Sequence, residues 1–318
     1  MGVLADVVPP RDPHDHGDAH PAGAPAAAAA ARSPEAAIER LAELVLGARS
    51  VVALTGAGIS VPSGIPDFRS PGTGMWESVD PMEVAHIDAF RSDPVRFWRF
   101  YGERFATLRD KQPNDAHRVL VEMESQGLLD GVITQNVDML HRRAGTRELV
   151  EVHGSIATCS CPDCGEQATL ERAQALMSAD AEGVPRCGAC AGPLKPDVVL
   201  FGEYLRASTI ERARALCEGA DLLLCIGSSL EVHPVAGLPL LTREAGGAIA
   251  ILTQGPTPLD GLAAVRLQGD VEHELRALAD ALAAASGAQA GNGRGAAREA
   301  HRPSSRAPGQ ARPRARRG

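Results

Sequence analysis

Four cysteines, one histidine and two short polar loops are the parts of this chain whose types and spacing could do chemistry. Cys161-Pro162-Asp163-Cys164 and Cys187-Gly188-Ala189-Cys190 form two CxxC knuckles separated by 22 residues. Together they offer four thiolates, the donor set of a closed tetrahedral zinc site. With every position taken by sulfur no water could be activated, so such a zinc would hold shape only. Cys159 offers an alternative first thiolate, but the two-residue spacing favours Cys161 with Cys164. Cys217 and Cys225 fall in apolar stretches and read as small buried side chains. Seven cysteines, with no charged-then-apolar leader ahead of them, point to a reducing compartment, the cytoplasm.

The second chemistry is nucleotide binding. An apolar run at 50–55 (SVVALT) leads straight into Gly56-Ala57-Gly58-Ile59-Ser60. Closely spaced glycines after a buried strand let the backbone approach a pyrophosphate and present N–H groups to it. The next glycine is Gly64, which is not the usual dehydrogenase spacing, and no acidic residue ends a second strand at the expected distance. Hydride transfer is therefore disfavoured. His153 follows the apolar stretch ELVEV and precedes Gly154 and the knuckles. An imidazole with an ordinary pKa of ~6.5 is suited to taking a proton near neutrality.

These groups need a frame. Strands are expected at 50–55, 131–134, 148–152, 221–226 and 248–252, and helices at 34–46, 94–108, 114–126, 207–218 and 271–284. The nearly unbroken apolar character of DLLLCI and AIAIL suits strands covered on both faces, as in a parallel sheet. Alternating strands and helices predict an α/β, Rossmann-type doubly wound parallel sheet, with ligands at the C-terminal ends of its strands. Residues 155–197 show little helix or strand signal and read as a small zinc-binding module inserted into the domain 34–286. Residues 1–33, rich in Ala and Pro, and 287–318, with eight Arg against one Glu, read as disordered tails.

The whole chain carries −8, so without that C-terminal stretch the remainder is near −15. An acidic body argues against a nucleic-acid binder, apart from weak contact by the Arg-rich tail. No apolar run reaches the ~18–20 residues of a membrane span.

The order of several blocks carries a family resemblance. GAGISVPSGIPDFR at 56–69, TQNVDMLH at 134–141, His153-Gly154, both knuckles, VVLFGE at 198–203 and GSSLEVHPVAGLP at 227–239 follow one another as in sirtuins. Over residues 35 to 285 the chain resembles a sirtuin of the bacterial type. The resemblance implies an NAD-dependent protein lysine deacetylase, which transfers the acetyl group to ADP-ribose and releases nicotinamide and O-acetyl-ADP-ribose. It implies NAD as co-substrate, structural zinc on Cys161, Cys164, Cys187 and Cys190, and acylated-lysine proteins or peptides as partners.

Residue roles come from the same resemblance. His153 matches the general base, and Asn136 and Asp138 the polar pair of the nicotinamide pocket, with Val137 between them. Gln135 matches a ribose contact. Gly56, Ala57, Gly58 and Ile59 would line the phosphate and nicotinamide side. Phe68 would cover the ribose, with Asp67 and Arg69 in the same glycine- and proline-rich loop. Gly227, Ser228 and Ser229 match phosphate and adenosine-ribose contacts, and Asp270 and Val271 lie where adenine is met. Val199, Phe201, Gly202 and Glu203 match the segment that pairs with substrate as an added strand. Thr253 stands where sirtuins commonly carry Asn, keeping a hydroxyl but losing the amide's second hydrogen-bonding function.

Tyr101 and Arg104, three apart on a helix, resemble the signature of sirtuins that prefer acidic acyl groups such as succinyl or malonyl. The surrounding aromatic residues allow packing instead. Desuccinylase-type deacylation and protein ADP-ribosylation are the alternatives to deacetylation.

Overall fold

The computed structural model describes residues 33–67 and 80–290. The predicted tails up to residue 32 and from 291, together with Phe68 and Arg69, lie outside the described residues. The first described element is α1 (Pro34–Gly47), capped by Ser33, whose Oγ accepts from Ala36 N, and started by a proline at its first turn. It continues through β1 (Val51–Thr55), a 3₁₀ segment (Ala57–Ser63), α2 (Pro81–Val84), α3 (Ile87–Ser92), α4 (Pro94–Asp110) and α5 (Asp115–Ser125). Next come β2 (Gly131–Thr134), α6 (Leu140–Ala144), β3 (Leu149–Glu151), β4 (Gly154–Ser160), β5 (Gln167–Thr169), α7 (Leu170–Ala179) and β6 (Lys195–Val198). The last third holds α8 (Ala207–Gly219), β7 (Leu222–Ile226), α9 (Leu238–Glu244), β8 (Ala248–Leu252), β9 (Val265–Leu267) and α10 (Val271–Ala290).

Six strands form one parallel sheet in the order β3-β2-β1-β7-β8-β9. Counted within this sheet, that is the 3-2-1-4-5-6 order of a Rossmann-type fold, with the reversal of direction between β1 and β7. Alternation along the strands explains why both faces are apolar. Val51, Ala53, Leu222, Leu224, Ala250 and Leu252 pack with α1, α5 and α10. Val52, Leu54, Leu223, Cys225, Ile249 and Ile251 pack with α8 and α9 on the other side. Each strand core is therefore buried twice, and at ~25 cal/mol per Å² of apolar surface this is the main stabilising term.

The stretch 155–197, expected to hold little regular structure, contains a three-stranded antiparallel sheet ordered β5-β4-β6 and the ten-residue helix α7. Its core is shared with a distant segment. Phe90, Phe97, Trp98 and Phe105 from α3 and α4 pack with Ile156, Cys159, Leu170 and Leu194, and Trp98 Nε1 donates to Leu194 O at 2.9 Å. The short strands escaped sequence reading because turns and cysteine knuckles break every run before a period is established. The helix expected to end at residue 284 continues to Ala290, four residues into the stretch read as tail. By compactness one unit runs through Leu282 and a second begins at Ala283. Among the described residues no helix is long and apolar enough to cross a membrane.

Candidate active site and metal centre

The loops after β1 and β7 meet backbone to backbone at the switch point. Gly56 N donates to Ile226 O at 2.9 Å and Gly58 N to Gly227 O at 2.8 Å. A Cβ on Gly58 would stand 2.7 Å from Gly227 Cα, and one on Gly227 2.3 Å from Ile59 N. The glycines thus do more than leave room for a pyrophosphate: they let the two loops touch. Gly227 also has φ +61°, which disfavours any side chain. Gly227→Ala should accordingly cost about 2–4 kcal/mol in denaturant unfolding. Gly237→Ala, where a Cβ meets nothing within 4 Å, should be close to neutral.

β2 delivers the polar loop to the same place. Gln135 Nε2 donates to Ser228 Oγ at 2.8 Å, linking the loops after β2 and β7. Asn136 Nδ2 donates to Gly56 O at 3.0 Å and to Ser60 Oγ at 3.2 Å. Ser60 Oγ donates to Asp138 Oδ2 at 2.7 Å, and Leu140 N donates to Asp138 Oδ1 at 2.9 Å. Asn136, Asp138 and Ser60 are all buried. Burial pushes the Asp138 carboxyl above its ordinary value, against the pull of these two donors. Both amide hydrogens of Asn136 are thus committed to the protein. Ser60, the hub between Asn136 and Asp138, was missed as a site residue, although it lies in the GAGIS motif.

His153 reaches this network through its ring. Its Nδ1 lies 3.1 Å from the carbonyl oxygen of Gln135. A carbonyl only accepts, so Nδ1 carries the proton and Nε2 keeps its lone pair. Burial holds the imidazole below its ordinary pKa, the bond to Gln135 opposing. The ring is then neutral at pH 7 and able to act as a base. Gly154, with φ +76°, follows directly; a Cβ there would meet Asp197 O at 2.1 Å, which fixes the chain where it leaves the sheet for β4.

Other predicted residues are spread around this centre. Ala57 and Ile59 lie in the 3₁₀ segment, half-buried and buried respectively. Thr253 directly follows β8, beside Gly227, whose N donates to Leu252 O at 2.8 Å; its own carbonyl accepts from Arg266 Nη1 at 2.7 Å. Ser229 and Asp67 are half-buried, the latter being the last described residue before the gap. Val137 turns toward the small sheet, where Ile156 N donates to its carbonyl at 3.1 Å. Asp270 is exposed and caps α10, accepting from His273 N at 3.0 Å; Val271 begins that helix.

The predicted peptide segment is already partly paired. Val199 N donates to His153 O at 2.8 Å, and Phe201 exchanges 2.9 Å bonds with Ala85 O and Ile87 N. Glu203 turns inward to accept from Leu200 N at 2.9 Å and Lys195 Nζ at 3.0 Å. Gly202 is exposed. A cavity of about 670 Å³, lined by Val199, Glu203, Gly154, Glu151, Arg142 and Arg206 among others, contains none of the dinucleotide loops.

The sulfur atoms of Cys161, Cys164, Cys187 and Cys190 all lie within 4.8 Å of one another. Cys161 Sγ is 3.4 Å from Cys190 Sγ, and Cys164 Sγ 3.5 Å from Cys187 Sγ. Zn–S bonds of ~2.3 Å in a tetrahedron require sulfurs about 3.8 Å apart, so the cluster fits zinc with little adjustment. Cys159 is not part of it. Its side chain is buried in the aromatic core, and burial pushes the thiol up to about 12, which keeps it protonated.

Tyr101 and Arg104 do not form a carboxylate clamp. Tyr101 lies between Phe97 and Phe105, with ring centroids 4.7 and 5.2 Å away. The Arg104 guanidinium sits 3.6 Å over the Phe100 ring and donates to the Phe100 carbonyl. Both side chains are used in packing on their own helix.

The family profile described as Sir2 family matches residues 56–234. An NAD-dependent protein deacetylase of Sulfurisphaera tokodaii is 43% identical over 244 residues, covering 76% of this chain and 94% of that protein. An NAD-dependent protein deacylase of Pyrococcus abyssi is 39% identical, with 76% and 99% covered. A solved complex of Sir2 with a p53 peptide and NAD+ superposes with a TM-score of 0.71 at 37% identity, covering 76% of this chain and 97% of that one. A family profile over more than half of the chain, with relatives 39–43% identical over 76% of it, shows that this protein belongs to the Sir2 family, the sirtuins.

Proposed function

We propose that this chain is an NAD-dependent protein lysine deacetylase, releasing nicotinamide and O-acetyl-ADP-ribose from NAD and an acetyl-lysine protein or peptide. The observation that carries the reading is the position of Gln135. Its side chain is bonded to Ser228 of the dinucleotide loop, and its carbonyl holds His153 as a neutral base. Cofactor grip and proton removal are thereby joined in one residue.

NAD supplies the electrophilic ribose carbon and nicotinamide as its leaving group. The residues of this chain do the rest. Gly56, Gly58 and Gly227 shape the crevice, and Ser228 and Gln135 offer polar groups to the riboses. Asn136 and Asp138, held by Ser60, face the nicotinamide side. His153 Nε2 takes the proton from a ribose hydroxyl. An amide oxygen is a weak nucleophile, so alignment in a water-poor crevice is the main contribution the protein can make. Cys161, Cys164, Cys187 and Cys190 would hold zinc as a structural ion.

The acyl group is acetyl because the only Tyr-x-x-Arg pair is spent on packing. The test is nicotinamide release with acetyl-, succinyl- and unmodified peptides. Release with the acetyl-peptide should exceed that with the succinyl-peptide by about tenfold or more, and Arg104→Ala should leave the ratio unchanged. Succinyl preference that vanishes in Arg104→Ala would overturn the acyl assignment. Label from NAD appearing on protein without an acyl group would favour ADP-ribosylation.

A further inference from the structure

Behind the dinucleotide crevice lie two buried histidines that the reaction does not use. His117 on α5 and His141 on α6 are 0% and 2% exposed. Their rings lie 4.8 Å apart, centroid to centroid, tilted by 58°. Each reaches a different loop of the crevice. His117 Nδ1 is 2.8 Å from Asn114 Oδ1, and Asn114 Nδ2 donates to Ile59 O at 2.7 Å. His141 Nε2 is 2.9 Å from Thr55 Oγ1, which is 2.9 Å from Thr134 Oγ1. Thr134 Oγ1 accepts from the backbone N–H of Asn136 at 3.1 Å. Among the described residues the remaining ring nitrogens, His117 Nε2 and His141 Nδ1, have no hydrogen-bond partner, so the two rings meet by packing and not by a bond between them.

Proton counting narrows the arrangement. Ile59 O accepts, so Asn114 must turn its amino group there and its oxygen to His117, whose Nδ1 then donates. In the neutral ring His117 Nε2 is left as an acceptor. With both rings neutral, Thr55 Oγ1 can donate to His141 Nε2 or accept from it. Burial of both rings favours this neutral solution, lowering the imidazole of His117 to about 4 and that of His141 well below its ordinary value. Two hydrogen-bonded chains, one ending at the Asn136 N–H and the other at the Ile59 carbonyl, meet where the two rings pack together.

We propose that His117 and His141 form a neutral positioning pair that couples the nicotinamide loop to the glycine loop, setting Asn136 against Ile59 across the crevice. The proposal rests on the NAD-dependent reading of the site, and it assigns a role in cofactor placement to residues that touch neither substrate.

Two measurements test it. Imidazole ¹⁵N shifts of the ligand-free wild-type protein should show both rings neutral, with the proton of His117 on Nδ1. A charged ring, or a proton on Nε2 of His117, would overturn the arrangement. This result does not depend on activity and stands apart from failure of the deacetylase reading, which would show as no acetyl-dependent nicotinamide release by the wild type.

The second is steady-state kinetics of His141→Leu. Losing a buried link should raise the KM for NAD about tenfold while the KM for acetyl-peptide stays within about twofold. His141→Gln, whose amide can still hydrogen-bond Thr55, should recover to within about threefold of wild type. An unchanged KM for NAD, or equal rises for both substrates, would overturn the coupling. If His141→Leu does not fold, the ¹⁵N assignment and His141→Gln decide the matter.

Discussion

His153→Ala is expected to stay folded and to lower turnover by about 10²–10⁴-fold, the range that one positioned general base supplies. The ring is half-buried at the edge of the crevice, and its one described polar contact is with the Gln135 carbonyl. Removing it opens no cavity in the three apolar cores, so thermal unfolding and NAD binding should change little. The pH dependence supplies a second readout. A histidine whose pKa is lowered stays in its basic form further into acid. The acid limb of kcat/KM should therefore lie below ~6.5, the ordinary histidine value. Full activity in His153→Ala, or an acid limb above neutrality lost in that variant, would remove His153 from its role. Because Gln135 holds the ring through its backbone, no substitution at 135 can remove the acceptor that sets the tautomer.

Cys187→Ser should lose zinc and unfold the small sheet. Structural zinc sites in peptides contribute an apparent ~10–16 kcal/mol at neutral pH, and a serine cannot replace a thiolate donor. Here the metal would tie the knuckle after β4 to the knuckle before β6. Those strands build the aromatic core shared with α3 and α4. Zinc per chain should fall from one towards zero, with a large drop in the melting temperature. Cys159→Ser should keep the metal, since Cys159 lies outside the cluster. Full zinc stoichiometry in Cys187→Ser would contradict the ligand set.

Sequence legibility followed the length scale of each interaction. β2 and β8 occupy the residues expected of them, and α5 and α8 end within a residue of their predicted limits. Apolar runs bounded by turns and caps report local structure well. The knuckles were legible because four thiolates at fixed spacing have few other uses. β9 and α9 were not, since three residues of strand and seven of helix are too short to establish a period. Tyr101 and Arg104 show another limit: spacing placed them on one helix face, but it could not say that the face turns toward Phe97, Phe100 and Phe105. Ser60, Asn114, His117 and His141 acquire meaning only from partners brought by distant strands and helices. A buried histidine looks the same in sequence whether it fills space or orders a loop.

The contact between Gly58 and Gly227 also bears on the order in which the molecule comes into being. β1 pairs with β7 through Val51 and Leu222, so neighbours in the middle of the sheet are made 171 residues apart. Long-range parallel pairing of this kind closes late in folding. During synthesis the first three strands of the large sheet and the histidine emerge well before Gly227 and Ser228, and half a crevice cannot grip a dinucleotide. A chain that ends before β7 lacks one wall of that crevice and is expected not to consume NAD, the activity arising once the second half of the sheet has docked on the first.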